Sequence, residues 1–128
     1  MAWNGRHFLS LADLSREEMI GLMRRASHFL DAGDRYEPDA PLAEKIVANL
    51  FLENSTRTRG SFTIATKRLG GDVVDLLGGT SSASKGETLV DTALNLEAMG
   101  VAGIVVRCSE ENGPMEIAEQ AGVPIINA

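Results

Sequence analysis

The chain has 128 residues, which suits one domain and leaves no room for two ordinary ones. Apolar residues make up 44% and charged residues 23%, while 18 acidic against 12 basic side chains give a net charge of −6, excluding a general nucleic-acid or anionic-membrane binder. A single cysteine (Cys108) excludes an internal disulfide, and no Cys/His group has metal-ligand spacing.

The opening MAWNGRHFLSLADLS lacks the basic start and apolar core of a signal peptide. No run approaches the ~18 apolar residues of a membrane span, so a cytoplasmic setting is expected. Ser15 followed by Glu18 has the spacing of a capping box. Met19, Leu22, Met23, Ala26, Phe29 and Leu30 then recur as the stripe of an amphipathic helix that ends at Gly33. A polar connector leads to Ile46–Leu52, nearly all apolar, as in a parallel strand covered on both faces. A second helix is predicted from Thr56, with Phe62, Ala65, Thr66 and Leu69 on one face and Gly70-Gly71 as its stop. Asp72–Leu77 reads as a strand, and GGTSSASKGE as a loop without periodicity. Glu87–Met99 is helical in pattern, Gly103–Arg107 a third strand, Pro114–Ala121 a short helix and VPIINA a fourth strand. The alternation predicts an α/β fold: a three-layer parallel sheet with helices on both faces. No helix follows the last strand to cover it, so the topology predicts an incomplete unit within a longer protein.

Ligands of parallel α/β sheets bind beyond the C-terminal strand ends. Three features fall there: Ser55–Thr58 after the first strand, the loop carrying Ser81 and Lys85 after the second, and Arg107 after the third. The first turn of a helix offers free N–H groups and roughly half a positive charge. Ser55, Thr56 and Thr58 add hydroxyl donors, and Arg57 adds a planar fork matched to phosphate oxygens. A plain N-cap would account for Ser55, at ~1 kcal/mol. It would not account for Arg57, a cation opposing the helix dipole unless an anion sits nearby. Arg59 is expected to serve a structural salt bridge. Gly60, inside the helix at a cost of ~1 kcal/mol against alanine, reflects close packing or chance. Lys85 reads equally as an exposed loop lysine or as part of an arm closing over an anion. Arg107 either snorkels to solvent or shares the ligand of Arg57. His7 and His28 are expected in surface or packing roles, and Cys108 as a small buried or half-buried side chain without triad partners.

FLENSTRTRGSFTIATKRLGG resembles the carbamoyl-phosphate signature of the carbamoyltransferases, and SSASKGETLVDTALNLEAMG the mobile-loop-plus-helix segment of their aspartate branch. HFLSLADLSREEM is similar to the family's N-terminal segment, so the resemblance spans about the whole chain. It implies that Ser55, Thr56, Arg57 and Thr58 bind the phosphate of carbamoyl phosphate, Thr58 also reaching the carbonyl oxygen. Arg107 would contact carbonyl and phosphate oxygens, and Ser81 and Lys85 would reach a neighbouring subunit's site in a homotrimer. The reaction implied is carbamoyl transfer to L-aspartate in pyrimidine biosynthesis, with Arg57, Thr58 and Arg107 catalytic. No metal or organic cofactor is implied, and regulatory or dihydroorotase-type partner subunits are compatible with it.

Two departures stand out. The family has histidine directly after the strand-end arginine, where this chain has Cys108. The 128 residues also end before the family's Gly-Asp-Gly turn and His-Pro-x-Gln segment, so the carbonyl-polarising histidine and the aspartate-binding domain lie outside them. The expectation is a carbamoyl-phosphate-binding domain over residues 1–128, inactive alone. The alternatives are a non-catalytic phosphate-binding or structural module and a carbamoyltransferase for another amino acid.

Overall fold

Ile46–Phe51, apolar but for Asn49, forms β1, and it is hydrogen-bonded along both edges. The structure, a computed structural model, describes residues 6–77 and 88–128. Before β1 come a 3-10 turn at Leu11–Asp13 and α1 (Arg16–Ala32). After it come α2 (Thr56–Arg68), β2 (Asp72–Leu77), α3 (Leu89–Ala98), β3 (Gly103–Arg107), α4 (Gly113–Gln120) and β4 (Ile125–Asn127). The four strands are parallel in the order β2-β1-β3-β4, with Asn49 opposite Asp75 on one side and Val105 on the other.

Right-handed crossovers between parallel strands dictate the layers. The chain steps from β1 to β2 in one direction, jumps back to β3, and continues to β4 in the second direction. The β1–β2 connection therefore lies on one face and the two later ones on the other. The side chains agree: Ala48, Leu50, Ile104, Val106 and Ile125 pack with Ala93 and Leu96 of α3 and Ile117 of α4 in one buried cluster. The alternate residue Asn49 turns the other way and bonds to Thr63 of α2. Helices on both faces are thus present as expected.

The capping box of α1 forms, with Glu18 N–H donating to Ser15 Oγ at 3.1 Å and Ser15 N–H to Glu18 Oε2 at 2.9 Å. Its apolar stripe is not buried, however; Met23 is 71% and Leu30 80% exposed. Amphipathic spacing specifies which face can be buried, and burial requires a second surface. Here Ala26 and Phe29 line a groove of about 310 Å³ with Ala65 and Leu69 of α2. Gly70, at φ +89°, ends the α2 segment where an added Cβ would lie 2.8 Å from Ala40 Cβ, so the positive φ and the close approach both favour glycine. Gly60 meets nothing within 4 Å among the described residues, so close packing does not account for it.

The outer edge of β4 is partly closed by the N-terminal segment. Phe8 bridges to Ile126, its N–H donating to Ile125 O and its carbonyl accepting from Asn127 N–H, each at 2.8 Å. Beside it, Ile125 N–H donates to His7 Nδ1 at 3.0 Å. That acceptor exists only in the neutral imidazole, with the proton on Nε2. Burial, and secondarily the Arg6 charge, push the His7 pKa below its ordinary value of 6.5. A depressed folded-state pKa means that the unfolded chain binds the proton more tightly. The His7 contribution is therefore complete above pH 6.5 and fades as pH falls through the lowered value. The protection factors of the Phe8, Ile125 and Asn127 amides, with the intrinsic pH dependence of exchange divided out, should fall on acidification below this range and should lose that dependence in His7→Gln.

Candidate active site

The reversal of strand direction leaves a crevice at the C-terminal ends of β1 and β3, the switch point where ligands of such sheets bind. Both neighbours of the crevice carry residues expected to bind an anion. From β1 the chain passes through Leu52–Asn54 into Ser55 and the first turn of α2. From β3 comes Arg107, paired in register with Phe51 and accepting at its carbonyl the Leu52 N–H at 2.8 Å.

The start of α2 differs from its counterparts. Ser15 and Thr88 close capping boxes at α1 and α3, whereas Ser55, like Asn112 at α4, makes no side-chain cap hydrogen bond. Its hydroxyl is left available, which removes the plain N-cap explanation. Of the four helices described, α2 alone has no acidic residue in its first turn; α1 has Glu17 and Glu18, α3 Asp91 and α4 Glu116. The free N–H groups of this turn and its positive dipole end are thus uncompensated, and Arg57 adds a further exposed positive charge. Ser55 and Thr58 are half-buried and Thr56 is exposed.

Arg107 is half-buried, with Nε 3.5 Å from Glu53 Oε2. The contact is electrostatic: this buried Nε has no hydrogen-bond partner among the described residues. Both side chains are over a third exposed, and solvent screens such pairs to at most about 1 kcal/mol. Arg107 is therefore held lightly, with hydrogen-bonding capacity to spare for a ligand. Glu53 was not anticipated from the sequence. It is the one acid in the segment FLENSTRTR, and only the register of β1 against β3 brings it to Arg107.

Arg59 takes the structural role expected of it, with Nη1 3.6 Å from Asp75 Oδ2. Asp75 also accepts, at Oδ1, an N–H from Asn49 Nδ2 at 3.1 Å, and the same amide donates to Thr63 Oγ1 at 3.0 Å. Cys108 is half-buried as expected; its S–H donates weakly to Glu110 O at 3.6 Å. Burial pushes this thiol's pKa up, and the charges of Glu110 and Glu53 act in the same direction, against the smaller opposing effect of the Glu110 backbone bond. At neutral pH these effects favour the thiol, the less nucleophilic form. His28 pairs with Glu37 at 2.9 Å far from this edge, consistent with a packing role. Ser81 and Lys85 lie outside the described residues. Among those residues no cluster of three or more His, Cys, Asp or Glu could hold a metal ion, and no helix is long and apolar enough to cross a membrane.

Residues 6–128 match the family model "Aspartate/ornithine carbamoyltransferase, carbamoyl-P binding domain". The aspartate carbamoyltransferase catalytic subunit of Aliarcobacter butzleri is 46% identical over 123 residues, 96% of this chain and 40% of that protein. Aspartate transcarbamoylase from Trypanosoma cruzi, solved in complex with carbamoyl phosphate, superposes with TM-score 0.81 at 35% identity, covering 97% of this chain and 40% of that one. Ornithine carbamoyltransferase from Thermus thermophilus gives TM-score 0.86 at 29% identity, with 98% and 42% covered. The chain thus spans about two fifths of the length of these relatives.

Glu53 places a negative charge beside Arg107 and would compete for it with an anion bound there. Glu53→Gln should tighten binding of inorganic phosphate by about 2–5-fold in calorimetry at low salt, an advantage that shrinks as ionic strength rises. Unchanged affinity at low salt would mean that Arg107 does not face the anion.

Proposed function

The chain belongs to the aspartate/ornithine carbamoyltransferase family, and from that membership we propose that residues 1–128 are the carbamoyl-phosphate-binding domain of an aspartate carbamoyltransferase. The observation that carries this reading is the first turn of α2: uncapped, without an acid, bearing Arg57, and opening on the β1–β3 switch point. A dianionic phosphate supplies the charge that this turn lacks. The names of the relatives support aspartate as the second substrate.

In the reaction proposed, the amino nitrogen of L-aspartate bonds to the carbonyl carbon of carbamoyl phosphate and a tetrahedral oxyanion develops. The C–O bond to phosphate then breaks, and phosphate leaves with the electron pair and takes up the proton that the amino nitrogen gives up. Ser55, Thr56, Arg57 and Thr58 hold the phosphate, and Arg57 neutralises it as it departs. Thr58 and Arg107 stabilise the oxyanion; losing one such donor typically costs ~10²–10³ in rate. The product is N-carbamoyl-L-aspartate, placing the parent enzyme in pyrimidine biosynthesis in the cytoplasm.

The aspartate-binding domain and carbonyl-polarising histidine are proposed to lie outside these residues, so the chain alone is inactive. Ser81 and Lys85 are proposed to act in the site of a neighbouring subunit of a homotrimer, to which regulatory or dihydroorotase-type subunits can attach. Support for self-association comes from the β2 side of the sheet. Ile46 (41% exposed), Val74 (38%) and Met99 (78%) surround an apolar hollow of about 400 Å³ there.

Arg57→Ala should weaken inorganic phosphate or carbamoyl phosphate by ~10–100-fold in calorimetry, the worth of one charge-assisted contact. Equal affinity in the variant removes the pocket assignment. The purified 128-residue chain should transfer no radiolabelled carbamoyl group to aspartate, and measurable transfer would show that the second domain is dispensable.

A further inference from the structure

Asn49 is the polar interruption of β1, and it is fully buried (0% exposed). Its Nδ2 donates to Thr63 of α2 and to Asp75 of β2, while its Oδ1 has no hydrogen-bond partner among the described residues. The two bonds made by the amide nitrogen are offset by the desolvated, unpartnered carbonyl, so the net contribution of asparagine to stability is small here. What the amide does is orient a carboxylate. Asp75 Oδ1 is held by Asn49, and Oδ2 is left facing Arg59 at 3.6 Å.

Arg59 lies one turn into α2, and its N–H makes the first intrahelical bond, to Ser55 O at 3.0 Å. Thr63, four residues on, lies over the same face and is the second point held by Asn49. Two anchors on one stripe fix the rotation of α2 about its own axis. Successive helix residues turn through about 100°, so Arg57, two before Arg59, is carried to the far side of the helix, away from the sheet. Arg57 is exposed and Arg59 half-buried, as that rotation requires.

We propose that Asn49 and Asp75 are positioning residues for the anion site: by clamping Arg59 and Thr63 they set the rotation of the first α2 turn, so that its N–H groups, Thr58 and Arg57 converge on one phosphate. This rests on the phosphate reading of the α2 terminus. Neither residue touches the ligand. Each acts through the helix.

The test is calorimetric titration of the 128-residue chain with inorganic phosphate, alongside melting temperatures. The proteins compared are wild type, Arg57→Ala, Asn49→Leu, Asp75→Asn, and the double variant Asn49→Leu/Asp75→Asn. Asn49→Leu and Asp75→Asn should each weaken phosphate by about 3–10-fold. Asn49→Leu should melt close to the wild-type temperature, because loss of the orphaned carbonyl offsets loss of the donor bonds to Thr63 and Asp75. The double variant should bind no worse than the weaker single, since both losses pass through Arg59. Wild-type affinity in both single variants beside a crippled Arg57→Ala overturns the positioning role and leaves the anion site standing. Weakening that merely follows lost melting temperature, with additive losses in the double variant, overturns it too. Should Asn49→Leu fail to fold, Asp75→Asn decides alone, because it keeps the amide contact and removes only the charge facing Arg59. Wild type and Arg57→Ala binding phosphate alike would overturn the phosphate reading itself, and this proposal with it.

Discussion

Strand β1 has no free edge, and the rest of the structure depends on that. Parallel strands cannot be joined by a tight turn, so each step away from β1 needs a crossover helix. The chain leaves β1 to one side and returns to pair with its other side. Crossover handedness then assigns α2 to one face and α3 and α4 to the other. The same reversal opens the crevice between β1 and β3, so the location of the site and the layering of the core follow from one pairing decision.

The two faces of the sheet are built differently. Toward α3 and α4 the contacts are apolar and buried, with Ile104, Val106, Ile117 and Ile125 fully excluded from water. Toward α2 the sheet presents Asn49 and Asp75, which join Thr63 and Arg59. Leaving a buried carbonyl unpartnered costs about 1–3 kcal/mol, a large share of the margin of an ordinary domain. Apolar packing between helix and sheet tolerates small rotations, because dispersion is non-directional. Hydrogen bonds and an ion pair do not. The face that needs orientation is the one whose helix ends at the site.

Electrostatics follow the same division. The chain is acidic overall, and α1, α3 and α4 each carry an acid in the first turn. The first turn of α2 reverses the pattern, with two arginines, a serine hydroxyl that makes no cap bond and no acid. Local positive potential in an acidic protein is confined to a short range by screening. Such a field would favour a small anion that fits the turn over polyanions at large.

Much of this was legible in the residues. Strand–helix alternation, the capping box at Ser15, the ends at Gly33 and Gly70, and the gathering of hydroxyls and cations in STRTR are local properties, set by propensity, hydrogen-bond chemistry and spacing within a few residues. Strand order, the pairing of Glu53 with Arg107, the network through Asn49 and the closing of the β4 edge by Phe8 were not legible. Each joins segments dozens of residues apart: Asn49 to Asp75 across 26 positions, His7 to Ile125 across 118. The stripe of α1 shows the boundary from the other side, since its periodicity marks a face that could be buried and its neighbours leave Met23 and Leu30 in water. By itself the sequence determined which elements form and where positive charge and hydroxyl donors gather, because short-range sterics and residue spacing decide both. Only the tertiary structure decided which strand ends share a crevice and how α2 is turned toward it, because pairing and crossover geometry exist only between distant parts of the chain.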